Sequence, residues 1–546
     1  MRIPDAPPPC QHSSATPRGW LTAVAVAVAL LTIWVHWPAG RNEFVHWDDY
    51  AYLETVARHP RLNGATIRWA FGTTGHDYYS PLTWLSYVAQ VRDGACAAAA
   101  FHRTSVVLHG LNAGLVVLLS GMILRRAGPL AAGAVGLCFA LHPVQVESVA
   151  WVAERKTVLC GFFCLLSALA YLRAAAGATG RRGWWLATVG CYIAALLSKP
   201  MAVSLPGALL ALDMYPLRRF NRVGWKRCVV EKLPLLALAI AAGWLTFVSA
   251  RQVGAVEASG VVSVLERVSI GARAFGFYVW KLVWPAELSP FYSFDGILHL
   301  GRPDVLAGLA AIGVFTVLSV VFYRRSPAGA AAWLGFGAFL LPVSGIVQTG
   351  AQAAADRYLY LPVVPVSLLV AAGFGLVWRR LGMTGRGALA TWLVCYLLFF
   401  AYRTRGQIAV WRNDVTLWQA ALAYDPASAM ASRQLAAALQ REGRYAEALV
   451  SARRTVEVAP HVADAQATLG TLYWELGRDE EAIAALERAL RLDPNCQPAL
   501  YFLARCYVRS GQTEAARAAV RRLIELDPEL EASLRQEADL VKLYNP

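Results

Sequence analysis

Charge is scarce in this sequence. Asp, Glu, Lys and Arg make up 16% of its 546 residues, where soluble domains carry roughly a quarter. That deficit, with 57% hydrophobic residues and a mean hydropathy of +0.42, excludes an ordinary soluble chain. A disulfide framework is also missing. The ten cysteines are scattered, mostly through apolar stretches, and Cys496 and Cys506 fall about 15 Å apart along one expected helix, too far to pair. No CxxC zinc pattern occurs. Neither does a phosphate-binding glycine loop, a dinucleotide fingerprint, a nucleophile elbow or a zinc-binding helix motif. These absences argue against a nucleotide-using cytoplasmic enzyme. Acidic residues are the scarcer sign, 36 against 51 Lys plus Arg for a formal charge of +15. Much of the basic excess sits in short linkers between apolar runs, so it reports topology and no nucleic-acid partner is expected.

What the chain does have is repeated apolar runs of about 20 residues, the length that crosses roughly 30 Å of hydrocarbon. Spans are expected at 19–38, 101–124, 128–142, 156–173, 183–198, 200–215, 233–250, 303–323, 328–346, 358–378 and 387–403. Arg2 and Arg18 precede the first, as in a signal peptide, but its length and the spans that follow make it an uncleaved helix. One set of linkers is short and basic, among them Arg125-Arg126, Arg181-Arg182, residues 218–232 and Arg324-Arg325. The positive-inside rule makes these cytoplasmic. The segments 39–100, 143–155, the turn at Lys199-Pro200, 251–302 and 347–357 then face outside. Residues 1–18 form a cytoplasmic tail, and the membrane domain runs over 19–410. The apolar segment 262–285 is interrupted by Glu266, Arg267, Arg273 and Lys281 and is expected to lie along the outer interface, as is LNGATIRWAF (62–71).

From about residue 411 a repeat takes over. Pro426, Pro460, Pro494 and Pro528 recur every 34 residues, as do Gly443, Gly477 and Gly511, and Ala448, Ala482 and Ala516. This is the tetratricopeptide (TPR) signature, two helices per repeat. Repeats are expected at 429–462, 463–496 and 497–530, capped by helices at 413–424 and 531–543. Such an α-solenoid offers a concave surface for a protein partner and no chemistry. The fold class is all-α: a polytopic membrane domain of about eleven helices, then a TPR α-solenoid.

Chemistry is expected in the long loop 39–100, which reads FVHWDDYAYLETVARHPRLNGATIRWAFGTTGHDYYSPL over 44–82. Asp48 and Asp49 lie between Trp47 and Tyr50, and His76 and Asp77 beside Tyr78 and Tyr79. A partly dehydrated carboxylate at the membrane rim suits a general base; the structural alternative is a helix cap near Tyr50. His102, Ser105, His109 and Asn112 share one helical face. His102 is the site candidate of that stripe, while His109 and Asn112 suit interhelical hydrogen bonds. In HPVQVESVAWVAERK (142–156), Glu147, Trp151 and Glu154 fall on one face ahead of Arg155 and Lys156. Arg155, Lys156, Lys199, Arg251 and Arg357 are basic groups at outer span ends, where an anion, most naturally a lipid phosphate, would explain several together. At such span ends a lost surface ion pair costs about 0–1 kcal/mol.

Several of these segments, in order, carry a resemblance: WDD, YSPLTWL (79–85), FHRTSVVLHGLN (101–112), HPVQVESVAWVAERK, SKPMAVSLP (198–206) and ADRYLYLP (355–362), then TPRs. The chain resembles the transmembrane and tetratricopeptide-repeat-containing O-mannosyltransferases and their bacterial relatives, which are GT-C type glycosyltransferases. It departs from them in a short TPR array and in Gln145, where the family pattern HPxH has a second His. The resemblance implies inverting transfer of mannose or a related hexose from a polyprenyl-phosphate donor to a protein or glycan hydroxyl. It places the catalytic acid at Asp48 or Asp49, with Asp49 favoured. His76, Asp77, His102, His142, Glu147, Arg155, Lys156, Lys199 and Arg357 are then the donor-phosphate and substrate candidates. No cofactor is expected, and the cations make a metal dispensable while leaving a divalent ion open. The expected location is the bacterial inner membrane, with the TPR domain on the periplasmic side. The rival expectation is a membrane-anchored TPR scaffold without catalysis.

Overall fold

The computed structural model describes residues 18–73, 79–91, 95–125, 127–252, 263–293, 299–345, 352–535, 537 and 540. Among them there are helices and turns but no strands. They fall into two compact units: Met1–Leu288 with Phe294–Arg412, and Ser289–Ser293 with Asn413–Pro546.

The first unit opens with α1 (Arg18–His36), then three short helices inside the long loop, α2 (Asp49–Ala57), α3 (Gly64–Gly72) and α4 (Pro81–Val88). Next come α5 (Ala98–Ile123), α6 (Gly128–Leu141), α7 (Val146–Ala150), α8 (Arg155–Ala175), α9 (Arg181–Leu196) and α10 (Leu205–Met214). Short helices α11 (Arg219–Arg222) and α12 (Trp225–Val230) lead into α13 (Leu233–Gln252), α14 (Val264–Val283), α15 (Pro303–Val321), α16 (Pro327–Leu340), α17 (Val363–Arg380) and α18 (Met383–Val410). Helix α5 is central, packed on α1, α6 and α8, and α8 in turn packs on α9.

All eleven expected spans overlap helix, but among the described residues six helices are long and apolar enough to cross a membrane, or seven counting one bent pair. Pro200–Met214, Leu233–Ser249 and Pro327–Val343 are apolar but shorter. This is a multi-pass membrane protein.

Prolines set several breaks. His142 is extended at φ −66°, ψ 126°, as the residue before Pro143 prefers, and the chain bends by 54° between Gly128–Leu141 and Pro143–Ala150. Residues 143–155, expected to face the outer side, are buried throughout, because α7 packs on α5, α8 and α18. The span expected from 358 begins later: Pro362 caps α17, and Asp356–Leu359 forms a separate 3-10 turn. Within the segment 262–285, Val264–Val283 is helical as α14, opened by a reciprocal Ser263–Glu266 capping box. It packs closely on α15, where a Cβ on Gly308 would lie 1.8 Å from the Ala272 carbonyl oxygen.

The second unit holds α19 (Asp414–Tyr424), the pairs α20 (Ala429–Arg441) with α21 (Tyr445–Val458), α22 (Ala463–Glu475) with α23 (Asp479–Leu492), α24 (Gln497–Arg509) with α25 (Thr513–Leu526), and α26 (Glu531–Leu534). The final helix expected over 531–543 is thus described over four residues. Gly443, Gly477 and Gly511 end the first helix of each pair at φ 72°, 71° and 76°, a left-handed conformation glycine adopts without cost. Ala448, Ala482 and Ala516 are fully buried where paired helices cross. Within this unit Tyr292 meets Tyr424 edge-on at 5.0 Å.

Candidate functional site

The WVAERK segment lies where α2, α4, α5 and α8 approach the 3-10 turn Val152–Glu154. Glu154 is its hub. Its Oε2 accepts from Lys199 Nζ at 2.8 Å and from the Thr157 hydroxyl. Its Oε1 faces Arg357 Nε at 3.4 Å and Lys156 Nζ at 3.6 Å. Lys199 also donates to Thr157 Oγ1 at 2.6 Å. Lys156 donates to the Tyr52 hydroxyl at 3.0 Å, one helical turn beyond Asp48 on α2. Glu147 takes the other side of Arg357: it accepts from the guanidinium and, at 2.9 Å, from the Arg357 backbone N–H. The Arg357 guanidinium lies over the Trp151 ring at 5.3 Å, and Trp151 stacks on Trp47 at 4.9 Å and on Trp411 at 5.4 Å.

Side-chain exposures of 5%, 9% and 12% for Lys156, Lys199 and Arg357 put these ions in a medium of low polarizability, where partners count for more than at a surface. Burial opposes the charge of Lys199 and pulls its pKa below the ordinary lysine value, with Glu154 acting against that pull. Burial opposes Arg357 too, but Glu147, Tyr358 and Glu154 outweigh it and raise its pKa well above the usual arginine value.

The two loop aspartates separate. Asp49 is 1% exposed; its Oδ1 accepts from Ala153 N–H at 2.8 Å and its Oδ2 from Val45 N–H at 3.1 Å. It thereby ties the start of α2 to the turn bearing Glu154. Asp48 occupies the N-cap position of α2 without a side-chain capping bond, is partly exposed, and adds to the negative field at Lys156.

The structure therefore brings Glu147, Lys156, Lys199 and Arg357 together, with Asp48 and Asp49 at their edge. It does not bring Arg155, His102 or His142 to them. Arg155 makes no bond to the cluster's carboxylates and instead donates to the carbonyls of Ser86 at 3.1 Å and Phe101 at 2.9 Å, over the rings of Tyr87 and Phe101. His102 bonds the Glu43 carbonyl at 3.2 Å. His142 donates to the Leu282 carbonyl at 3.2 Å and accepts from Val144 N–H. His76 and Asp77 lie outside the described residues. His109 and Asn112 both bond the Tyr360 hydroxyl, at 2.9 and 2.8 Å, so that part of the polar stripe is interhelical glue. Gln145 donates to the Tyr360 carbonyl at 3.4 Å. Sequence reasoning put Glu154 on one face with Glu147 and Trp151 without counting it among the substrate candidates, and missed Tyr52 and Thr157. The i, i+3 spacing of Glu154 and Thr157 was the only signal available for that pair. Among the described residues no His, Cys, Asp and Glu cluster could hold a metal ion.

Further along α8, about 12 Å from Lys156 by helical rise, an apolar cavity of about 100 Å³ is lined by Leu119, Cys164, Leu205, Phe339, Leu361 and Leu368 among others.

Whole-sequence comparison follows the same lines. The chain is 24% identical over 499 residues to the protein O-mannosyl-transferase Tmtc1 of Drosophila melanogaster, covering 72% of this chain and 56% of the relative. Homo sapiens TMTC1 is 24% identical over 488 residues, 79% and 54% covered, and Homo sapiens TMTC4 25% over 427 residues, 69% and 57%. The chain is thus similar over most of its length to TMTC-type protein O-mannosyl-transferases. It spans about half the length of those curated relatives. Tetratricopeptide-repeat family models match residues 417–495 and 473–536. Among solved structures, the MamA RS-1 ArsTM double mutant covers 40% of this chain and 97% of its own at 20% identity and a TM-score of 0.20, which carries no argument.

Proposed function

We propose that this TMTC relative is an inverting membrane glycosyltransferase. It would move mannose or a related hexose from a polyprenyl-phosphate donor to a protein or glycan hydroxyl on the outer side of the membrane. The observation that carries the proposal is the convergence of Lys156, Lys199 and Arg357 beside the Asp48–Asp49 loop. A phosphate that gains charge as it leaves is stabilised by prearranged cations, and the apolar cavity further along α8 suits the start of a polyprenyl chain.

In this mechanism the acceptor oxygen attacks the anomeric carbon, and its proton passes to a carboxylate. The bond from the anomeric carbon to the phosphate oxygen breaks, and its electron pair leaves with polyprenyl phosphate. The carboxylate is Asp48. Asp49, which sequence alone favours, has both oxygens engaged by backbone N–H groups. Asp49 instead orients the loop. Glu147 holds Arg357 in place. The location proposed is a bacterial inner membrane, with the TPR unit on the periplasmic side binding the acceptor or a protein partner.

The test is a transfer assay with purified protein, a polyprenyl-phosphate hexose and a hydroxyl acceptor, read by mass spectrometry and anomeric analysis. A product with inverted configuration supports the proposal. Absence of both donor binding and transfer, with protein capture by the TPR unit intact, would establish the scaffold instead.

A further inference from the structure

Glu154 is not explained by the roles assigned so far. A phosphate site of three cations needs no carboxylate at its centre, yet Glu154 contacts Lys199, Lys156 and Arg357 at 2.8, 3.6 and 3.4 Å and is 2% exposed. Glu154 and Glu147 contact these three cations directly, and Asp48 adds its field at Lys156, so the cations are already compensated before any ligand arrives. A polyprenyl-phosphate sugar is a phosphodiester with one negative charge. The product, polyprenyl phosphate, is a monoester carrying about −1.5 to −2 at neutral pH. A product that gains charge must therefore compete with these carboxylates for the same cations.

We infer that Glu154 is an internal counter-anion that holds the phosphate-binding cations in place and limits their grip on the departing phosphate. The inference rests on the proposed function. Without a carboxylate here the three cations would repel one another in a buried setting, and with it they stay converged before the donor arrives. The Thr157 hydroxyl donates to Glu154 and accepts from Lys199, which fixes the carboxylate between the lysine and its own helix. When the anomeric bond breaks, the new negative charge competes with Glu154 for the same ammonium and guanidinium groups. That competition weakens the product complex and favours release. Glu154 is therefore a positioning residue: it acts through Lys156, Lys199 and Arg357 and not on the sugar.

The probe is polyprenyl phosphate itself, titrated onto the full chain in detergent by native mass spectrometry and by thermal shift. Glu154→Gln keeps the shape and removes the charge. It should bind polyprenyl phosphate about tenfold tighter, at the lower end of the couplings seen for close charge pairs, and show a larger ligand-induced rise in melting temperature than the parent. Under turnover, kcat and the product inhibition constant should both fall. Glu154→Asp should restore parental values in part. A merely structural glutamate would give weaker product binding, or none of these changes. Thr157→Val, which frees the lysine and the carboxylate from their shared hydroxyl, should shift product affinity in the same direction by less and guards against poor folding of the glutamine variant. A parent that binds polyprenyl phosphate while both variants bind it no more tightly overturns the inference alone. A parent that binds none overturns the proposed function with it.

Discussion

Arg155 and Arg357 look alike in sequence, as basic groups at the ends of spans, and the structure gives them different work. Arg155 ties two carbonyls and two rings within the core. Leaving a buried carbonyl without its donor costs about 1–3 kcal/mol, so Arg155→Ala should unfold at lower temperature, and its folded fraction should bind donor like the parent. Arg357 faces Glu147 and Glu154 at 12% exposure. The surface-pair cost of about 0–1 kcal/mol expected for it from sequence is replaced by that of a buried network. Arg357→Gln should lose both stability and donor affinity, measurable by thermal shift with and without a polyprenyl-phosphate sugar. Parental donor binding by folded Arg357→Gln would place the phosphate elsewhere. Residue types and spacing made the cations, Glu147 and the aspartate pair legible. The direction each side chain takes was not, because partners such as Lys199 with Glu154 or Arg357 with Glu147 come from distant segments. Nothing local could separate Asp48 from Asp49 either; the two backbone N–H groups that engage Asp49 come from Val45 and, across the fold, Ala153.

At the scale of elements, legibility followed locality. The TPR period could be read because each repeat solves the same local problem: a left-handed glycine after the first helix and small residues at the crossing. Gly477→Ala would place a Cβ at φ 71° and should cost about 1 kcal/mol. Gly470→Val should cost more, about 1–3 kcal/mol, since a Cβ there already meets Leu486 Cγ at 2.5 Å. Unfolding of the purified variants followed by circular dichroism checks the order; equal stability would contradict the crossing geometry. The bent α6–α7 pair was harder. Its proline signalled a break, but a break reads as a loop, and only the packing of α7 on its neighbours shows why 143–155 is buried. Helix α14 was legible as a helix through the charges that interrupt its apolar run, while its capping box and its seat on Gly308 of α15 were not.

At the scale of the molecule, the eleven expected spans meet a structure in which, among the described residues, six or seven helices satisfy length and apolarity. The alternation of basic linkers makes a topological prediction: a reporter fused after residue 546 should be active on the outer side, and one inserted between Arg324 and Arg325 on the cytoplasmic side. A cytoplasmic signal from the first would move α14, or one of the shorter apolar helices, between span and surface. The central claim is narrower than topology. It is that a carboxylate of the first long loop, beside the Lys156–Lys199–Arg357 cluster, takes the acceptor proton. The most direct measurement is the rate of sugar transfer by Asp48→Asn and Asp49→Asn in detergent, with melting temperature recorded on the same preparations. Asp48→Asn should lose roughly 10²–10⁴-fold in turnover at parental stability. Asp49→Asn should lose stability first, since it loosens the Ala153 and Val45 contacts. Near-parental turnover by folded Asp48→Asn would contradict the assignment of the base, and near-parental turnover by both would remove the active site from this loop.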